Sequence, residues 1–285
     1  MCAAAHDQPG SRRHVNWGLF VPAWARVPFP IIGMLHAPAL PGAPRASAPL
    51  AHAIDHVLRD AAALVDAGVD GLMLENFGDT PFFPRRVPHA VVAQLTCIAL
   101  EIRRRHEIPL GINVLRNDAS AALAIAHAVG AAFIRVNVLC GARVTDQGVI
   151  QGLAHRLLRE RAHLSAEQIR ILADVDVKHS AALGAPRSIE DEVADTLERA
   201  GADAVIVSGA GTGQPTDLDQ LRRATAAAGV APVLVGSGVT ARTIAPLRSV
   251  ADGAIVGTSL KVEGVPTNPV DPTRARELIA ALAGV

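Results

Sequence analysis

The most chemically loaded stretch of the sequence is Asp174-Val175-Asp176-Val177-Lys178-His179. Read as an extended strand with alternating side chains, it puts Asp174, Asp176 and Lys178 on one face and Ala173, Val175 and Val177 on the other. Two carboxylates and an amine so placed can shift one another's pKa, pass a proton, or hold a divalent cation through oxygen. His179 adds an imidazole that titrates near neutrality. Glu75-Asn76 brings a further carboxylate and amide, while Arg135 and Asn137 share one face, with Arg135 as an anion clamp or a counter-ion to Asp174. Glu75, Asp174, Asp176, Lys178 and His179 are therefore the catalytic candidates. His36, Asn76, Asn113, Arg116, Asn117, Arg135, Asn137 and Ser208 are the substrate-binding candidates. If Mg²⁺ takes part, Glu75, Asp174 and Asp176 are its candidate ligands.

A second signal is a pair of glycine and hydroxyl turns, Gly236-Ser237-Gly238 and Gly257-Thr258-Ser259, each closing an apolar run and leading toward a helix. Bare backbone N–H groups at such turns bind phosphate. Flavin mononucleotide is a weaker candidate for the same turns. Other residues read as bland. His52 and His56 are four apart but lack the glutamate of a zinc-protease helix, and Cys140 has no assignable base partner. Gly209-Ala210-Gly211-Thr212-Gly213 departs from the dinucleotide fingerprint, and no Walker A loop occurs.

These residues recur at the ends of short apolar runs, and the runs define the elements that must position them. Candidate strands cover 31–35, 71–75, 110–114, 132–138, 170–177, 204–208, 232–236 and 253–257, alternating with Ala/Leu-rich helical stretches. Asp118, Ser188, Asp217 and Asp271-Pro272 mark helix starts, and the glycines of AGVDG, VGAAF and AGADA mark helix stops. Eight βα units predict a single (β/α)8 TIM barrel over 30–285, with residues 1–29 as a poorly ordered or docking N-terminal extension. A doubly wound open sheet is the competing architecture. In a barrel, the polar strand ends gather at the C-terminal face, and the seventh and eighth loops form the usual phosphate site.

Composition narrows the partners. Basic and acidic residues number 27 each and aromatics make up 3%, so neither a cationic field nor stacking platforms point to nucleic acid. Three scattered cysteines predict a reducing, cytoplasmic setting, and no run is long enough for membrane insertion. Arg12-Arg13 before a short apolar run ending Ala23-Trp24-Ala25 is a poor match to an export signal. Ala-rich outer helices predict a homo-oligomer.

The strings IIGMLHAPALPGAPR, VDGLMLENFGDTPFF, LGINVLRNDA, FIRVNVLCGARVTDQGVIQG, ADVDVKHSAALG, VLVGSGVT and ADGAIVGTSLK, in this order over roughly 30–283, resemble the BtpA family. The family takes its name from photosystem I biogenesis and includes an SgcQ-like branch with sugar-metabolism associations. The resemblance implies a cytoplasmic barrel similar to ribulose-phosphate-binding barrels, with a phosphorylated ligand. Its polar blocks coincide with Glu75, Asn76, Asn113, Arg116, Asn117, Arg135, Asn137, Asp174, Asp176, Lys178 and His179, whereas Ala210 and Gly211 depart from its pattern. The expected function is a lyase or isomerase on a small phosphorylated sugar or nucleotide-like metabolite, using acid/base or Schiff-base chemistry. The alternative is a non-catalytic biogenesis factor that retains a ligand pocket.

Overall fold

The computed structural model describes residues 15–209 and 216–284. Arg12-Arg13 and the departures at Ala210 and Gly211 lie outside the described residues. In chain order, α1 (Trp17–Phe20), β1 (Ile31–His36), α2 (Leu50–Ala67), β2 (Gly71–Glu75), α3 (His89–Arg105), β3 (Leu110–Asn113), α4 (Ala119–Val129) and β4 (Phe133–Val136) come first. A hairpin follows, β5 (Ala142–Thr145) and β6 (Gly148–Gln151), then α5 (Ala154–His163), β7 (Arg170–Val175), β8 (Ser180–Ala182) and α6 (Ile189–Ala194). The rest is β9 (Ala204–Val207), α7 (Leu218–Ala227), β10 (Val233–Val235), α8 (Ile244–Arg248), β11 (Gly253–Val256) and α9 (Pro272–Ala283).

Strands β1, β2, β3, β4, β7, β9, β10 and β11 close a parallel barrel in that cyclic order. The predicted caps form: Asp118, Ser188, Asp217 and Asp271 each accept amide hydrogen bonds from the first turn of their helix. Gly68 and Gly130 stop α2 and α4 at positive φ, where a side chain would be strained. Three aspartates that precede strands, Asp70, Asp203 and Asp252, each accept the amide of a neighbouring strand, from Ile31, Ile171 and Val233. The N-terminal rim thereby satisfies backbone donors that would otherwise be unpaired.

Alternation along the strands divides the apolar residues into two sets. One set packs outward against the helices, as Ile31, Leu35, Leu72 and Leu74 do. The other fills the barrel: Met34, Met73, Phe133, Leu172, Ile206, Leu234 and Ile255. Gly111 takes the β3 position of this layer because the Phe133 ring lies over it, and a Cβ there would fall 2.0 Å from that ring.

Residues 15–29 pack against the foot of the barrel. Trp17, Phe20, Val21 and Trp24 are buried and cluster with the barrel interior. Trp24 packs on Phe133 at 5.6 Å between ring centroids and donates its indole N–H to the Asp70 carbonyl at 2.7 Å. Arg170 at the foot of β7 donates to the carbonyls of Phe20 and Leu19, which fixes the arm. The arm is the floor of the barrel. The three strands β5, β6 and β8 form a separate small sheet beside the C-terminal mouth, in a region read from sequence only as long loops.

Candidate active site

Two residues beyond each position of the interior layer, the strands present His36, Glu75, Asn113, Arg135, Asp174, Ser208, Gly236 and Gly257. None has a hydrocarbon side chain. His36, Glu75, Asn113 and Arg135 are direct register neighbours across four adjacent strands. The polar ring thus follows from strand alternation and register together.

Within this ring the charges are organised in pairs. Arg135 grips Asp174 with two parallel bonds, Nε to Oδ2 at 2.9 Å and Nη2 to Oδ1 at 2.7 Å, and Asn137 donates to Oδ2 at 2.7 Å. Both oxygens of Asp174 are thus engaged, and they hold the Arg135 and Asn137 side chains in place. Glu75 accepts from Asn113 at 2.5 Å and lies 3.9 Å from His36 Nε2. Burial raises the Glu75 pKa, against the pull of Arg135 and Lys178. His36 Nδ1 meets the Pro266 carbonyl at 2.9 Å; a carbonyl can only accept, so Nδ1 carries the proton and Nε2 offers a lone pair toward Glu75. Burial, reinforced by Lys261, holds the imidazole down at about 3, so it is neutral at physiological pH. Phe77 stacks on the same ring at 4.5 Å.

Above the ring opens a cavity of about 710 Å³, lined by His36, Glu75, Arg116, Arg135, Asn137, Lys178 and His179 on one side and by residues 236–240 and 257–259 on the other. Lys178 is one of only two lysines in the chain, in a sequence where every other basic residue is arginine. Burial, followed by the repulsion of Arg135, brings its ammonium down to about 8. The other lysine, Lys261, is fully buried and paired with Asp60 of α2 at 2.5 Å, with His56 3.6 Å from the same carboxylate. This pair pins the chain just after the 257–259 turn to the first long helix.

The two glycine turns are stitched together. Ser259 Oγ donates to the Val239 carbonyl at 2.6 Å, Thr243 Oγ1 to the Gly238 carbonyl at 2.8 Å and Thr216 Oγ1 to the Ser237 carbonyl at 3.0 Å. Gly238 has φ +69, which releases the turn from strand geometry. No acceptor among the described residues takes the amides of Gly238, Val239, Thr258 or Ser259. Arg274, from the first turn of α9, reaches the same side of the cavity and remains substantially exposed.

Several sequence expectations are corrected by this geometry. Asp176 does not share a face with Asp174 and Lys178: β7 ends at Val175, and Asp176 sits at φ +47, breaking the alternation. It is exposed and binds Arg143 and Gln220, tying the small sheet to the outer helices. Glu75, Asp174 and Asp176 therefore do not converge on a cation, and no three metal-ligating side chains cluster among the described residues. Asn76 spends its amide on the backbone N–H and C=O of Leu115 and on Asp79, while Asn117 does the same with both backbone groups of Val138. Both act as strand-like braces between adjacent loops. Ser208 is buried beneath Gly236, outside the cavity lining. His179 lines the mouth and is exposed. Arg274, Phe77 and Asp146 also line the cavity and were not foreseen; an arginine just after the Asp271-Pro272 helix start was the available signal for the first.

The family model for the BtpA family matches residues 28–284. The Photosystem I biogenesis protein BtpA of Synechocystis is 47% identical over 254 residues, covering 89% of this chain and 88% of that protein. An uncharacterized protein of Thermococcus kodakarensis is 48% identical over 250 residues, covering 88% and 94% respectively. Among solved structures, N-(5'-phosphoribosyl)anthranilate isomerase from Pyrococcus furiosus superposes with a TM-score of 0.55 at 14% identity, over 90% of this chain and all of that one. KGPDC from Streptococcus mutans gives 0.53 at 13%, over 90% and 98%. The barrel is thus a common architecture, while the sequence relationship is specific: the chain belongs to the BtpA family.

Proposed function

We propose that the chain is a lyase or isomerase that moves a proton on a small phosphorylated, sugar-like metabolite bound in the C-terminal cavity. The observation that carries this reading is the pairing, in one cavity, of two turns whose amides no described residue accepts and a buried lysine whose ammonium burial brings down to about 8. In this reading the phosphoryl oxygens accept from Gly238, Val239, Thr258 and Ser259, with Arg274 closing over them. Lys178, poised between ammonium and amine, exchanges a proton with the reacting carbon or its carbonyl oxygen, and the same amine suits a Schiff base. Glu75, held by Asn113 and with its pKa raised by burial, is the second acid/base, and the neutral His36 ring lies beside it. Arg135 and Asn137, aimed by Asp174, face the substrate's hydroxyl or carbonyl oxygens. Among the described residues no three side chains come together as a ligand set for Mg²⁺.

The test is a thermal-shift panel of inorganic phosphate, sugar phosphates and nucleotides, with and without Mg²⁺, on wild type, Ser237→Asp and Thr258→Asp. Stabilisation by a sugar phosphate in wild type that disappears in both variants is the expected result, since a ligand of the native state raises stability by mass action. A second reading, a non-catalytic assembly factor, is favoured by the outer face of the small sheet. There Val144 stands beside Val149 in register, with Leu183 nearby, and all three are exposed. The name of the Synechocystis relative points the same way. No shift with any ligand transfers the weight to this reading.

A further inference from the structure

We infer that the cavity carries a second anion subsite, built on Arg116 and Lys178 across from the glycine turns, and that it takes the carboxylate of a phosphorylated sugar acid. This rests on the phosphate reading above and extends it to the other end of the ligand. In a closed ring of eight strands β3 stands four places from β10, so the loop that leaves β3 faces the turn that leaves β10 across the mouth. Arg116 follows on that loop, three residues past Asn113. It lines the cavity and is only 6% exposed, yet its Nε finds no acceptor. Its Nη2 donates to the Lys178 backbone carbonyl at 2.8 Å, which ties the guanidinium to the loop that carries the lysine.

A buried cationic donor left without an acceptor is costly, and such groups persist where a ligand completes them. The surrounding charges do not complete it. Arg135 has given its fork to Asp174, Glu75 is bound by Asn113, and Asp146 lies exposed on the turn between β5 and β6 without an ion pair to Arg116. Lys178 Nζ likewise has no hydrogen-bonded partner among the described residues. The guanidinium and the ammonium together offer donors to the two oxygens of a carboxylate, and the four amides opposite, which no described residue accepts, suit the three oxygens of a phosphoryl group. A carboxylate held there also places the adjacent carbon beside Lys178 and Glu75, where a proton can be removed or returned.

The experiment uses pairs of open-chain ligands that differ only in one terminus, 4-phosphoerythronate against erythritol 4-phosphate and 6-phosphogluconate against sorbitol 6-phosphate. Each is titrated calorimetrically at pH 7 into wild type, Arg116→Gln and Arg116→Lys. For at least one chain length the acid binds wild type tenfold or more tightly than its alditol, Arg116→Gln brings the two within twofold, and Arg116→Lys falls between. Alditol affinity changes less than threefold in the variants. Should Arg116→Gln lose its fold by circular dichroism, the ratio in Arg116→Lys alone must still drop. Equal affinities for acid and alditol at both lengths, a preference that survives loss of Arg116, or tenfold tighter binding of sorbitol 1,6-bisphosphate than of 6-phosphogluconate each overturns the carboxylate assignment. Arg116-dependent binding of phosphate-free gluconate, with no binding of either alditol phosphate, leaves the carboxylate subsite standing and removes the phosphate reading instead.

Discussion

The two ends of this barrel are built on opposite principles. At the N-terminal end the arm of residues 15–29 drives Trp17, Phe20 and Trp24 into the opening, where they close the floor with aromatic rings over Phe133. At the C-terminal end the same strands present a ring of imidazole, carboxylates, amide, guanidinium, hydroxyl and two bare glycines around a cavity. Burying rings is favourable in itself, at roughly 25 cal/mol per Å² of apolar surface. Burying the polar ring requires each charge to be paired or its proton held, and apolar fill of the same volume would serve stability at least as well. In the proposed reading the floor serves stability and the mouth chemistry, a contrast that substitutions at the two ends can test.

The largest effect is expected at the floor. Trp24→Ala removes the ring that touches Phe133 together with the indole hydrogen bond to Asp70, and truncation of a buried tryptophan costs about 4 kcal/mol. Urea unfolding should show that loss while the thermal shift per saturating ligand stays unchanged. A loss below about 1 kcal/mol would mean the arm is an accessory and not the floor.

At the mouth, Arg135→Met should cost about 3 kcal/mol, because it leaves the Asp174 carboxylate buried with Asn137 as its remaining partner. Adding Asp174→Leu to the same chain should recover most of that loss while ligand binding stays abolished. A double variant as unstable as the single one would show that the pair is structural mortar, in which case the two ends do not differ in kind.

Much of this contrast could be read from residue order, and the exceptions share a cause. The eight ring residues were legible because strand alternation runs unbroken up to them, and the two glycine turns because their position in the seventh and eighth units is itself informative. Asp176 was misplaced because alternation was carried one step past Val175, where the backbone enters the left-handed region. Asn76 and Asn117 were read as ligand groups since an amide at a strand exit looks the same whether it meets substrate or the neighbouring backbone; only the partner distinguishes them. The small sheet depends on β8 pairing with β5, elements far apart in sequence. Trp17 and Trp24 lie in a segment with no periodicity to mark it as core.

A smaller effect separates the ends by pH. Glu75→Gln keeps an acceptor for Asn113 and removes a carboxyl whose pKa is raised by burial. For such a group the native state holds its proton while the unfolded chain releases it. Wild type and variant should therefore match below the ordinary carboxylate range, and wild type should then lose ground as pH rises through that range toward the native value. The variant should be the more stable at pH 7, a difference that fades in acid. Thermal melts across pH 4–8 would settle it, and a variant less stable at every pH would show that the Glu75 carboxylate is a net stabiliser.

The finest distinction is the titration of Lys178 itself. Because Lys261 is fully buried against Asp60, the lysine at the mouth can be labelled almost alone, and its acetylation can be followed by mass spectrometry of its peptide. The labelling rate should rise with a midpoint near 8, well below an ordinary lysine, while Lys261 stays unmodified until the protein unfolds. Glu75 holds the Lys178 proton on, so Glu75→Gln should move the midpoint further down, whereas Trp24→Ala at the floor should leave it in place. A midpoint above 10 in wild type would remove the amine from acid/base work at neutral pH. A midpoint moved as far by the floor variant as by the mouth variant would show that the two ends are coupled through the barrel instead of being built independently.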